Sequence, residues 1–396
     1  MNYNFDLPVE RRNSGSAKWS KFEADVLPMW VADMDFASPQ PILNAIHERA
    51  NHGVFGYCQT PDVLQDAICA RVKRLYDWDV VPDEVVFIPG LVSALNVSCR
   101  AIGSIGDSVL INTPVYPPFQ SSPTNQYREQ RSAQQVKTLA NVDIDGKQLK
   151  TLRYEIEFTA MEAAIQPNTN LFLLCNPHNP TGRAFTRDEL SKLAEMCLRH
   201  DMIICSDEIH SDLLMGDTKH IPIATLSPEV SDRTITLLSP SKTFNMPSLG
   251  CGFAIIQNEE LREQFNQSKL GIVPYVNALG YAAATAAFTD PGCEDWLNQL
   301  RAYLTANRNY LVNYVEEYLP GVRTTVPEAT YLAWMDCSDC DIEGNAQEFF
   351  VNEGKVGFNA GETFGPGGED FVRINYACPR SRLEEGLERM RMALSR

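Results

Sequence analysis

The sequence predicts an α/β protein, a large domain with a mostly parallel sheet sandwiched by helices, joined to a smaller α+β lobe. Three observations predict it. Between Glu84 and Asn258 six short aliphatic runs each end in a Gly, Pro, Ser or Asn loop; amphipathic segments lie among them; and the last hundred residues change pattern. Runs buried on both faces and alternating with helices are what a parallel sheet covered on both sides requires.

In chain order the runs are "EVVFIPG", "SVLINTPVY", "NLFLLCNP", "MIICSDE", "TITLLSPS" and "GFAIIQN". Among the helical segments, "TRDELSKLAEMCLRH" sets Leu190, Leu193, Ala194, Cys197 and Leu198 on one face. Thr186 followed by Glu189 fits a capping box opening that helix. The uncharged run Leu270 to Thr289 has the length of a membrane span. It contains Pro274, Asn277 and two glycines, too weakly apolar for that, and reads as a buried helix of small residues. Beyond it, "EDWLNQLRAYLTANRNYLVNYVEEYL" and "RSRLEEGLERMRMAL" bracket the short extended pieces "TYLAWMD" and "FVRINYA", a second lobe expected to be joined by the N-terminal arm.

Composition narrows the function classes. The chain has 396 residues, 44% hydrophobic and 21% charged, as expected of a globular protein with a substantial core. Acids outnumber bases, 51 against 34, and the formal charge of −17 repels phosphate backbones and anionic membrane surfaces. No nucleic-acid or membrane partner is expected. The N-terminus, "MNYNFDLPVERRN", lacks an apolar leader segment, and the eleven scattered cysteines read as reduced thiols in a cytoplasmic protein. "CSDC" (Cys337 to Cys340) has redox or zinc spacing, but no second pair completes it, so no metal is expected. "GPGG" (Gly365 to Gly368) lies outside a strand–helix unit and reads as a loop.

Chemistry gathers where the strands end, because in such sheets function collects at the loops beyond the strands' C-terminal ends. "IPGLVSALN" is a glycine turn opening a helix, a seat for an anion. "NPHNPTG" holds two Asn-Pro turns that can aim an amide rigidly, although tight loops alone also look this way. "CSDEIH" puts Asp207 directly after an apolar strand, where a carboxylate needs a cation, a donor or a helix to cap. "LLSPSKTFN" puts one lysine, Lys242, at the mouth of another strand. A lysine, an aspartate, an asparagine and an anion seat on one sheet suit a cofactor carrying an aldehyde, a ring nitrogen and a phosphate. Pyridoxal 5′-phosphate has all three.

The spacing of Asn179, Asp207 and Lys242 resembles the fold-type I pyridoxal-phosphate enzymes, the aspartate aminotransferase superfamily, over nearly the whole chain. Within it, "LPMWVADMDF", "GVFGY", "TPVYPPF", "SDEIHSDLL", "PEATYLAW" and "RINYACPR" look like the MalY/PatB-type carbon–sulfur β-lyases, the cystathionine β-lyase-like branch. The resemblance implies a large cofactor-binding domain over 46–288 and a small domain from 1–45 plus 289–396. It implies that Lys242 holds the cofactor covalently and takes the substrate Cα proton. Asp207 would pair with the ring nitrogen, Asn179 with the ring's phenolic oxygen, and Tyr116 would stack on the ring. Leu91 and Val92 would offer backbone N–H groups to the phosphate, Ser239 a hydroxyl, and Tyr57 would reach the phosphate of the neighbouring subunit in a homodimer. Arg373 would clamp the substrate α-carboxylate. The aminotransferase pattern often has a tyrosine three residues after the aspartate and an arginine eight after the lysine; here these are His210, also expected at the cofactor, and Gly250. The implied activity is α,β-elimination from L-cystathionine or another S-substituted cysteine, giving a thiol, pyruvate and ammonia. An aminotransferase, or a regulatory protein that keeps the fold, are the other readings. His47, His52, His200 and His220 receive no role.

Overall fold

The computed structural model describes residues 2–395. All six predicted runs are strands of one seven-stranded sheet: β1 (Val85–Ile88), β2 (Ser108–Thr113), β4 (Thr169–Cys175), β5 (Ile203–Asp207), β6 (Thr234–Leu238) and β7 (Gly252–Ile255), completed by the edge strand β3 (Glu129–Gln134). The spatial order is β1-β7-β6-β5-β4-β2-β3, with β7 alone antiparallel to its neighbours.

Alternating side chains divide between two cores. Val109, Ile111, Leu171 and Leu173 point to one face, against helix α2 (Leu91–Ala101). Leu110, Phe172, Leu174 and Ile204 point to the other, against helix α3 (Arg187–Arg199). Burial on both faces is why these strands read as unbroken apolar runs. The expected capping box opens α3: Thr186 Oγ1 accepts from Glu189 N–H, and Glu189 Oε2 accepts from Thr186 N–H at 2.8 Å.

The C-terminal lobe has a four-stranded antiparallel sheet of β8 (Arg323–Thr324), β9 (Leu332–Asp336), β10 (Asn359–Ala360) and β11 (Phe371–Asn375), in the order β8-β9-β11-β10. Its register sets Arg373 between Trp334 and Asn359. The long helices α5 (Pro291–Tyr318) and α6 (Arg380–Leu394) pack on each other beside it. The N-terminal arm docks there too: Leu27–Pro28 runs parallel to Val356–Gly357, and the chain then passes between lobe and sheet.

Two features depart from the sequence reading. The run Leu270 to Thr289 is helical only over α4 (Ala278–Thr289); Pro274 and the Asn277 cap, whose Oδ1 accepts from Gly280 N–H at 2.8 Å, fix its start. The residues before it leave Leu270, Ile272 and Tyr275 exposed. Within α4 the small residues serve close packing: a Cβ on Gly280 would lie 2.5 Å from Leu249 O. The hairpin of Val136–Ile144 with Lys147–Glu155 gave no signal as an aliphatic run, because one of its strands alternates exposed and half-buried residues. The expected domain edges at 45/46 and 288/289 fall inside helix α1 (Gln40–Asn51) and the last turn of α4. Among the described residues, no helix is long and apolar enough to cross a membrane.

Candidate active site

Strands β1, β2, β4, β5 and β6 share one direction, so the loops following them emerge along one edge of the sheet. Between that edge and the C-terminal lobe lies a cavity of about 350 Å³. Its wall includes Leu91, Val92, Tyr116, Asn179, Asp207, His210, Ser239, Lys242 and Arg373. Of the residues singled out in the sequence, Tyr57 lies elsewhere, fully exposed.

Lys242 begins just beyond β6, in the short helix Pro240–Thr243 that Ser239 caps. Its Nζ donates to Ala32 O at 2.5 Å. Enclosure of the ammonium by protein, with Arg373 nearby, holds its pKa down to about 8; Asp33 and Asp207 pull weakly the other way. Asp207 closes β5. Burial pushes its carboxyl up to about 7, with Glu208 adding to the shift, while the Ile209 N–H that it accepts at 3.1 Å opposes it. Among the described residues no cation forms a salt bridge with it. His210 is buried, its ring edge-on to Tyr331, and burial beside Lys242 and Arg373 holds it down to about 3, so the imidazole is neutral.

Arg373 is buried and has no carboxylate partner among the described residues. Nη1 donates to Asn179 Oδ1 at 2.9 Å; Nη2 donates to Trp30 O at 2.9 Å and Asn359 Oδ1 at 3.0 Å. Nε is buried with no acceptor. Desolvation draws its pKa down to about 10. A buried guanidinium without an anion is costly unless an anion from outside completes it. Because Asn179 Oδ1 faces Arg373, its amide NH₂ is left to donate elsewhere.

The end of the cavity at Gly90 is built from backbone. Gly90 caps α2, whose first N–H groups, from Leu91 to Ser93, have no acceptor within the helix. The Ser239 hydroxyl donates to Cys251 O at 2.7 Å and accepts from Ser241 N–H at 3.1 Å. Ser93 and Ser241 line the cavity as well. Gly250 sits at φ +57° with Pro89 O 3.1 Å from where a Cβ would stand. An arginine there would meet both a left-handed backbone and a crowded neighbour.

The segment Trp30–Phe36 forms the roof, and it is held by amides. Asn375 Nδ2 donates to Val31 O and Asp33 O, both at 2.6 Å. Asn245 accepts from Met34 N–H at 2.9 Å and donates to Met34 O and Phe36 O. Tyr331 Oη joins Lys242 at Ala32 O, at 2.9 Å. Sequence reasoning reached Trp30 only through its motif. It missed Asn359, whose "FNAG" context has no turn or strand signal and whose place comes from pairing with Arg373. The pair Cys337 and Cys340 lies past β9, outside this wall.

A wider, open groove of about 810 Å³ runs between α1 and α4 and holds none of the singled-out residues. Next to it, Val54, Phe55 and Tyr57 are exposed, and Cys58 Sγ donates to Val276 O at 3.6 Å, tying this loop to the exposed 270–275 segment.

Comparison with known proteins is consistent across sequence and structure. The model of the family "Aminotransferase class I and II" matches residues 24–390. The chain is 37% identical to cystathionine beta-lyase PatB of Bacillus subtilis (strain 168) over 99% of its own length and 100% of that protein. It is 31% identical to Protein MalY of Escherichia coli (strain K12), covering 97% of each. Among solved structures, the PLP-bound C-S lyase from Staphylococcus hominis superposes with a TM-score of 0.90 at 33% identity, over 100% of this chain and 99% of that one.

Proposed function

The chain belongs to the aminotransferase class I and II family, and from that premise we propose that it is a pyridoxal-phosphate-dependent carbon–sulfur β-lyase. Its substrates are L-cystathionine or other S-substituted cysteines, and its products a thiol, pyruvate and ammonia. One observation carries the reading: a lysine whose pKa is lowered to about 8, a buried carboxylate and a buried arginine, neither with a salt-bridge partner among the described residues, converge on one cavity. The residues fit the cofactor. The unpartnered Arg373 Nε and the unused amide of Asn179 are the gaps that a bound carboxylate and a phenolic oxygen would fill.

Bound there, pyridoxal phosphate supplies an aldehyde carbon for the substrate amine and a protonated ring that takes up the electron pair left when the Cα–H bond breaks. Asp207 holds the proton on the ring nitrogen; a carboxylate so raised by burial gains most from a cationic partner. The N–H groups of Leu91 and Val92, with the hydroxyls of Ser93 and Ser241, receive the phosphate. Tyr116 covers one ring face and keeps water out. Arg373 fixes the α-carboxylate and so aims the Cα–H bond. Lys242 Nζ takes the Cα proton and stands ready to return one to the departing sulfur. The relatives named cystathionine beta-lyase, and Gly250 where aminotransferases often carry arginine, favour elimination over amino transfer.

The deciding assay gives the cofactor-loaded protein L-cystathionine and no oxo acid. Continuous pyruvate release over many turnovers is expected. A reaction that stops after one equivalent and restarts only when an oxo acid is added identifies an aminotransferase instead. Lys242 also makes a pH prediction. Its amine reacts only when neutral, and a pKa lowered to about 8 moves that form toward physiological pH. Uptake of pyridoxal phosphate by cofactor-free protein is therefore expected to speed up about tenfold per pH unit below 8 and level off above it. A rate still climbing at pH 10 in stopped-flow absorbance contradicts the buried-amine reading.

The exposed Val54, Phe55, Tyr57, Leu270, Ile272 and Tyr275 support a homodimer in which Tyr57 reaches the neighbour's phosphate end. The free thiols favour the cytoplasm. For the domains, the division at 46–288 against 1–45 plus 289–396 stands as a proposal, supported by the N-terminal arm pairing with Val356–Gly357.

A further inference from the structure

We propose that Cys337 and Cys340 form a reversible redox pair, an outer nucleophile and a buried resolving thiol that exchange with small-molecule disulfides. The inference stands apart from the β-lyase reading, because the pair lies past β9 and outside the cavity wall. Its first ground is the backbone. Residues 337–340 form a turn closed by Cys340 N–H, which donates to Cys337 O at 3.0 Å. The ends of such a turn stand within about 7 Å of each other, and a disulfide joins Cα atoms about 4.4–6.8 Å apart. The turn is also held from outside. Cys337 N–H donates to Asp370 O at 3.0 Å, and Asp336 Oδ1 accepts from Ser338 N–H at 3.0 Å. Gly321, at φ +90°, leaves it room: a Cβ there would lie 2.8 Å from Asp339 O and 3.2 Å from Cys340 Sγ.

The second ground is the asymmetry of the two thiols. Cys337 is buried in the core of the C-terminal lobe, whereas Cys340 is only half-buried and open to a reagent. A hydrogen bond between the thiols holds Cys340 below the ordinary thiol range and raises Cys337 well above it. Burial and the acids Asp336 and Asp339 oppose the shift at Cys340. Both acids are offset by cations, Lys137 and Arg323, each at 2.7 Å. Burial pushes other enclosed thiols up, Cys99 and Cys251 to about 12. A lowered outer thiol beside a raised inner one is the arrangement that thiol–disulfide exchange uses. Metal binding is the rival use of this spacing, and among the described residues no group of three or more ligating side chains forms. In the exchange, Cys340 thiolate attacks one sulfur of a disulfide R–S–S–R, forming a mixed disulfide and expelling one thiolate. Cys337 then gives its proton to that thiolate and attacks Cys340 Sγ, expelling the second. Two protein thiols are oxidised, and one disulfide is reduced to two small thiols.

The test incubates the folded, cofactor-loaded protein with oxidised glutathione, quenches with acid and caps the remaining thiols with iodoacetamide. Mass spectrometry then reads the tryptic peptide 324–355, which contains these two cysteines and no other. The peptide is expected to lose two hydrogens, to carry neither cap nor glutathione, and to regain both thiols with dithiothreitol. A wild-type peptide that keeps one glutathione, or that is capped at both cysteines, overturns the inference. Cys337→Ala removes the resolving thiol and is expected to retain one glutathione per chain on Cys340. Cys340→Ser is expected to take none on this peptide; glutathione on its Cys337 overturns the assignment of outer and inner thiols. If Cys337→Ala does not fold, the wild-type and Cys340→Ser results decide. Pyruvate release by Cys340→Ser is expected to match the wild type, so the outcome is read separately from that of the lyase assay.

Discussion

Replacing Lys242 with alanine is expected to abolish the visible absorbance of lysine-bound cofactor and to lower turnover by about 10⁴-fold, the upper end of what a positioned proton-transfer group contributes. The side chain has two duties that no neighbour can take over. Among the described residues it is the only primary amine in the cavity wall, and the imidazole of His210, held neutral at about 3 by burial, is too weak a base to replace it. The fold is expected to survive. Ala32 O keeps its hydrogen bond from Tyr331 Oη, and the Ser239 cap does not involve residue 242. Removing a half-buried ammonium also relieves a desolvation cost. The checks are borohydride trapping with mass spectrometry and a circular-dichroism melt. A variant that still traps cofactor covalently at full yield would falsify the assignment of Lys242.

Arg373→Ala is expected to lower kcat/KM for S-substituted cysteines by about 10²–10³-fold, or about 3–4 kcal/mol, the range for losing one partner of a buried charge pair. Most of this belongs in KM, because the guanidinium holds the α-carboxylate before and during reaction. Arg373→Lys separates charge from shape: a lysine keeps the positive end but cannot reach Trp30 O, Asn359 and a carboxylate in one plane, so it should recover a minor part of the loss. Steady-state kinetics on both variants decides. A full recovery by lysine means that the cavity needs only a point charge there, and an unchanged alanine variant means that the carboxylate binds elsewhere.

The parts of this site that a reader of the sequence can find are those produced by local rules. Asp207 and Lys242 stand out because each follows an apolar run buried on both faces, Asp207 closing β5 and Lys242 lying just past the end of β6, where a charge needs a reason. The Gly90 turn and the Thr186 cap follow from helix-end chemistry. Asn359 is hidden because pairing over long sequence distances creates its place, beside Arg373 through sheet register; the roof of Trp30 to Phe36 is legible only as the motif "LPMWVADMDF", since the hydrogen bond that brings Trp30 O to Arg373 spans 343 positions. The acceptor of the Ser239 hydroxyl, Cys251 O, is equally invisible in the sequence, because it arrives with the residue that precedes the antiparallel strand β7. The late start of α4 is the opposite case. Pro274 and Asn277 are local signals in the sequence, and together they place the helix start at Ala278.

Trp30 O and Ala32 O, the two roof acceptors that hold Arg373 and Lys242, are peptide oxygens. Any amino acid brings such an oxygen with it. Evolutionary drift at 31 and 32 can therefore change how roomy the chamber is without disturbing either cation, provided that the amides of Asn375 and Asn245 still grip the ribbon. New substrate ranges become reachable by single substitutions in the ceiling, and the catalytic apparatus is inherited intact.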